Sequence, residues 1–139
     1  MRSLKFLILA ITLLFSASYS HADEIEDLVL QQLSAKTFLS ELYLEEYQGL
    51  TVIDGEYTVS TKKELKELFE ITAEQTQNTE ITSLKILSQA NTVDFTTVTF
   101  EYEWALKLGN TQMDGKVSGV GVFMKVDGGY VSIFDAQTM

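Results

Sequence analysis

Acid–base chemistry in this chain falls to carboxylates and phenols, because its only histidine, His21, and only arginine, Arg2, stand near the N-terminus and it has no cysteine or proline. A carboxylate base working with a phenol or a protonated acid inside an apolar pocket is the isomerase type of proton transfer. Asp94, Asp114 and Asp135 are the candidate carboxylates, and Tyr43, Tyr47, Tyr57 and Tyr102 the candidate phenols. Tyr102 and Trp104 make the best pocket wall, with the plainer alternative that both are core aromatics. Glu101 and Glu103 share the opposite strand face, which suits water or an interface rim better than catalysis. Asp54 and Asp127 each precede a glycine and shape turns. A serine hydrolase of the usual kind is excluded, since no histidine beyond residue 22 would activate a serine. No imidazole, thiolate or calcium-loop spacing stands out, so neither a metal nor a cofactor is expected.

The first 22 residues read as a secretory leader. Arg2 and Lys5 form a positive start, Phe6 to Phe15 an apolar run, and Ser20-His21-Ala22 a small-residue exit, favouring a cut before Asp23. An uncleaved anchor is the alternative, but a membrane span needs about 20 apolar residues. Cleavage leaves residues 23–139, one domain's length, exported to a periplasm or the medium and not embedded in a membrane. With Arg2 and Lys5 gone, eight lysines face 20 acids, a net charge of −12. Such a surface repels phosphate backbones, so nucleic acid is not an expected partner. Without cysteines, packing alone must hold the domain.

Apolar spacing is helical before residue 79 and alternating after it. Asp23 to Lys36 reads as a helix with Ile25, Leu28, Val29 and Leu33 on one stripe. Phe38 to Tyr47 reads as a second helix, with Phe38, Leu39, Leu42 and Tyr43 inward and Gly49 ending it. Leu50 to Val59 is a hairpin turning at Asp54-Gly55. Thr61 and Glu64 form a capping box that opens a third helix to Gln77, with Leu65, Leu68, Phe69 and Thr72 buried. Four strands follow: Ile81–Gln89, Val93–Leu108, Gln112–Val126 and Tyr130–Gln137. Val93 and Phe95 are out of phase with Val98, Phe100, Tyr102 and Trp104, which predicts a bulge near Thr96-Thr97. Val120, Val122, Met124 and Val126 oppose Val117 and Phe123, so the third strand is apolar on both faces. The expectation is an α+β fold, a curved antiparallel four-stranded sheet plus a short N-terminal hairpin, wrapped around three helices. A second copy covers the outer sheet face in a homodimer, unless the sheet curls enough to shield itself.

Two segments carry a family pattern. Val52-Ile53-Asp54-Gly55 is followed by Ser60-Thr61-Lys62-Lys63-Glu64-Leu65 opening a helix, and Gly115 to Ile133 gives two strands joined at Asp127-Gly128-Gly129. Together they resemble the nuclear transport factor 2-like superfamily, the cystatin-like cone shared with ketosteroid isomerase, scytalone dehydratase and SnoaL-like cyclases. The resemblance implies an apolar pocket and a homodimer over residues 23–139. Tyr43, Tyr47, Phe69, Tyr102, Trp104 and Phe123 are the expected pocket lining. The chain departs from histidine-dependent members, and no catalytic residue is carried over. Three functions fit: a module binding a small apolar ligand without turnover, an isomerase, dehydratase or cyclase using an Asp–Tyr pair, and an interaction protein meeting a partner through its outer sheet face.

Overall fold

The computed structural model describes residues 24–139. The leader assigned to residues 1–22 lies outside them, as does Asp23. The chain divides after Gln31 into two compact units. Helix α1 covers residues 24–34, with Ile25 and Val29, four apart, fully buried and Glu24, Glu26 and Asp27 exposed. Among the described residues no helix is long and apolar enough to cross a membrane.

The expected helix over Phe38–Tyr47 does not form. A 3-10 turn at Ser40–Leu42 leads straight into strand β1, Tyr43–Ile53. Tyr43 and Tyr47 stand four residues apart, a spacing that keeps both on one face of a helix or of a strand. Pairing with the distant C-terminal strand decides between them, a tertiary contact overriding local pattern. Gly49 therefore sits mid-strand instead of ending a helix.

The hairpin appears as read. Asp54 and Gly55 both take positive φ, 52° and 83°, the left-handed pair a tight turn needs, and β2 runs Glu56–Thr61. Thr61 then caps helix α2, Lys62–Ile71. Its hydroxyl accepts from the Glu64 backbone N–H, while the Glu64 carboxylate accepts from the Thr61 N–H at 2.7 Å. Those bonds hold the Glu64 carboxyl below its usual range. The helix does not run unbroken to Gln77: the Thr72 hydroxyl donates to the Leu68 carbonyl at 2.8 Å, and a separate α3 covers Ala73–Gln77. Leu65, Phe69 and Thr72 are half-buried as a stripe, but Leu68, placed there too, is 49% exposed.

Strands β3 (Thr79–Asn91), β4 (Phe95–Leu108), β5 (Thr111–Val126) and β6 (Gly129–Thr138) complete one six-stranded sheet in the order β2-β1-β6-β5-β4-β3. The four C-terminal strands form the expected antiparallel meander. The N-terminal hairpin is not a separate piece, because β1 pairs with β6, and this ladder is parallel. The wholly antiparallel expectation is corrected by that one ladder. The predicted bulge at Thr96-Thr97 is also absent. The β4–β5 register runs without a shift from Phe95–Met124 to Leu108–Thr111, and Thr96, 1% exposed, takes the buried position. Irregularities fall instead in β3, in β1 between Tyr43 and Gln48, and where β6 crosses Val122/Phe123.

The inner face of the sheet carries Val98, Phe100, Tyr102 and Trp104 of β4, with Val117 and Phe123 of β5. Glycines alternate with them for a steric reason. A Cβ on Gly119 would lie 2.5 Å from the Phe100 ring, and one on Gly115 2.7 Å from Trp104. The β4 aromatics therefore lie flat across β5, which fills the core without a second large side chain.

Candidate functional site

Asp135 is the carboxylate the fold turns inward, and a register slip puts it there. Along β6, Ser132 faces Phe123, but Phe134 faces Val122, so two steps of β6 oppose one of β5. The extra residue, Ile133, reverses the phase. Asp135 then stands opposite Gly121 and Gln137 opposite Gly119, both on the inner face. On the other side β1 brings Gly49 level with Asp135.

The irregular stretch of β1 delivers the phenols. Five steps of β1, Tyr43 to Gln48, oppose two of β6, Ser132 to Phe134, and Tyr47 lies in the excess. Lys62, at the start of α2, secures this stretch: its ammonium donates to the Tyr43 carbonyl at 3.0 Å and pairs with Glu45 at 3.3 Å. Tyr43 stacks on Phe38 with ring centroids 5.3 Å apart, and Tyr47 meets Tyr43 edge-on at 4.9 Å. Both tyrosines are buried. A Cβ on Gly49 would lie 2.6 Å from the Tyr47 hydroxyl and 3.4 Å from Asp135 Oδ1. Only glycine leaves room for that phenol to reach the carboxylate.

Three side chains bond in sequence around Asp135. The Tyr102 hydroxyl donates to Gln137 Oε1 at 2.7 Å. With its oxygen so engaged, the Gln137 amide nitrogen is the end that donates to Asp135. The Tyr47 hydroxyl comes up to the same carboxylate beside Gly49 and also pulls its proton affinity down. Burial pushes the Asp135 carboxyl up to about 6, against the pull of these two neighbours. Tyr102 is raised to about 12, and Tyr43 and Tyr47 well above the usual phenol range, by burial first and then by the Asp135 charge. All three phenols stay protonated at neutral pH while Asp135 is mostly ionised. Among the described residues no lysine forms an ion pair with it.

The other sequence candidates lie elsewhere. Asp94 and Asp114 are exposed, and Tyr57, on the outer face, is 74% exposed. Trp104 shares the inner face but sits over Gly115, six residues along β5 from the strand partner of Asp135. Phe123 is buried beside Gly121. Phe69 meets Phe38 edge-on at 5.9 Å and lines a separate groove of about 500 Å³ with Lys66 and Glu70. Glu101 and Glu103 keep to the outer face, where Lys116 and Ser83 each approach one at 3.3 Å. Among the described residues no group of three or more acidic or histidine side chains converges as a metal site would require.

No protein-family model and no curated protein sequence matches the chain. Solved structures do. An NTF2-like protein with a cystatin-like fold from Novosphingobium aromaticivorans superposes with a TM-score of 0.63 at 13% identity, over 96% of this chain and 87% of that one. An NTF2-like protein of unknown function from Silicibacter pomeroyi gives 0.61 at 9% identity, over 88% and 96%. A cystatin-like domain of unknown function from Nostoc punctiforme gives 0.63 at 12% identity, over 86% and 76%. The chain has the NTF2-like, cystatin-like fold. At these identities the likeness is one of fold and assigns no residue a role.

Within the NTF2-like fold, Asp135, Tyr43, Tyr47 and Tyr102 come together from the candidates named in the sequence. Gln137, Gly49 and Lys62 do not appear among those candidates. Gln137 follows Asp135 by two, the strand spacing that puts both on one face, and that was the available signal. Nothing local marks Gly49 or Lys62, whose parts depend on the β1–β6 register.

Proposed function

We propose that the chain is an exported binding module that seats a small apolar ligand against the inner sheet face of its NTF2-like fold, with Asp135 as the polar anchor. The observation that supports it is a half-buried carboxylate on a largely aromatic and apolar face, with Tyr47 and Gln137 beside it. Such pockets are mostly apolar walls with a few fixed polar groups. Protein-observed NMR against a panel of small apolar compounds tests the reading. The expected shifts centre on Gly119, Gly121, Asp135 and Gln137, and Tyr102→Ala removes them. Perturbations confined to the outer-face residues Val120 and Val122 would favour a protein-interaction role instead.

A second reading is favoured by the raised Asp135 carboxyl beside a protonated phenol. In it Asp135 takes a proton next to a carbonyl, and Tyr47 or Tyr102 turns its hydroxyl from its partner in the resting network to stabilise the oxyanion, as an isomerase, dehydratase or cyclase requires. Deuterium wash-in to an activated ketone, lost in Asp135→Asn, is its expected signature. Two copies associate through the outer face in either case. An apolar groove of about 320 Å³ there, lined by Val52, Leu87, Val120 and Ala136, supports that association.

A further inference from the structure

The hydrogen-bond directions around Asp135 carry the ligand-site reading one step further. The Tyr102 hydroxyl proton is committed to Gln137, and the Tyr47 hydroxyl, beside Gly49, has the Asp135 carboxylate as its neighbouring acceptor. What remains toward a ligand is acceptor capacity, the unused lone pairs of the carboxylate and of the two phenol oxygens. The carboxylate has no cationic partner among the described residues. An unpaired, partly buried charge is costly, and a cation supplied from outside removes that cost. The walls are aromatic: Phe100 stacks on Tyr102 at 6.2 Å, and Tyr43 and Tyr47 meet edge to face. Ring faces attract cations as well as hydrocarbon.

We infer that the inner-face site takes an organic cation, an ammonium group carried on an apolar or aromatic body, with Asp135 as its counter-ion and the phenol oxygens as its remaining acceptors. The inference rests on the reading of this face as the ligand site and names the class of ligand. A carboxylate or phosphate ligand is disfavoured on the same grounds, since it would meet like charge and no arginine. The net charge of the whole chain, −10, attracts cations over a longer range as well.

The test uses matched probes on the intact protein: phenethylammonium against phenethyl alcohol, and benzyltrimethylammonium against neopentylbenzene. Binding is followed by NMR at pH 7.5. The cationic member of each pair is expected to bind about tenfold tighter or better, through a charge-assisted hydrogen bond for the primary ammonium and through charge pairing and cation–π attraction alone for the quaternary one. Asp135→Asn should bring the two members level. In the wild-type chain the cation should also lower the Asp135 titration midpoint, a readout that needs no variant. Equal affinity for both members, with shifts still at Asp135 and Gln137, overturns the cation inference and leaves the binding site standing. Shifts from neither member at those residues overturn both.

Discussion

Asp135, the proposed anchor, is a carboxylate whose burial works against the charged form. The folded chain holds its proton up to about pH 6, whereas the unfolded chain releases it near the ordinary value of 3.8. Between those values the native state binds more protons, so stability falls as pH rises through the window and stays lower above it. The full shift corresponds to about 3 kcal/mol, and for a half-buried group about 1–2 kcal/mol is the expected cost. Asp135→Asn removes the titrating group and keeps the shape, because the Gln137 amide and the Tyr102 hydroxyl can reverse their donor order together. Denaturant unfolding at pH 7.5 should therefore show the variant more stable by about 1–2 kcal/mol, with the stability change between pH 4 and 6 gone. A variant less stable than wild type at every pH would mean that the hydrogen bonds matter more than the buried charge. Gly49→Ala acts on the same carboxylate from the other side. Its new methyl pushes the Tyr47 hydroxyl away, one of the two contacts that lower the Asp135 carboxyl is lost, and the midpoint should climb further. A stability loss of about 1–3 kcal/mol, the usual cost of overpacking, accompanies it. An unchanged Asp135 titration in that variant would show that Tyr47 is not held as described.

At the scale of elements, the chain is legible wherever one segment decides its own structure. The Asp54-Gly55 turn, the Thr61/Glu64 cap and the alternation of β4 and β5 depend on neighbours within a few residues, and each appears in place. The misreadings that bear on the site depend on a distant partner, whereas the break of the third helix at Thr72 is local. Tyr43 and Tyr47 fit two periods, and only the parallel β6 ladder makes them a strand. The phase of Asp135 also escapes strict alternation: continued from Ser132, it would point the carboxylate outward, and the extra residue Ile133 turns it in. This is why the sequence offers three carboxylates on an equal footing and the fold turns one of them inward. Gly119 tests the packing side of the same sheet. Gly119→Ala would put a methyl 2.5 Å from the Phe100 ring and should destabilise by about 1–3 kcal/mol. A neutral result in thermal unfolding would mean that Phe100 has another rotamer open to it.

For the whole molecule, the two faces of the sheet call for different partners. The inner face buries Val98, Phe100, Val117 and Phe123. The outer face leaves Tyr57, Val59 and Leu87 at 48–74% exposure beside half-buried Val120 and Val122. Exposed apolar surface of that kind suits association, and in the proposed dimer a second copy sharing the same face would close with two-fold symmetry. Light scattering during gel filtration should give a dimer at micromolar concentration, and Val120→Lys should give a monomer that keeps the fold. A wild-type monomer would leave the outer face to another partner or to water. The distinction bears on function, because a dimer built on outer faces leaves each inner face free for its ligand.

The most direct single measurement is a carbon-13 NMR titration of the Asp135 side-chain carboxyl in the wild-type protein from pH 3 to 9. That carboxylate lies on the inner sheet face, out of full contact with water and without a lysine partner among the described residues, so its midpoint should lie at about 6. A midpoint near 4, the value of a carboxylate in open water, would contradict that placement.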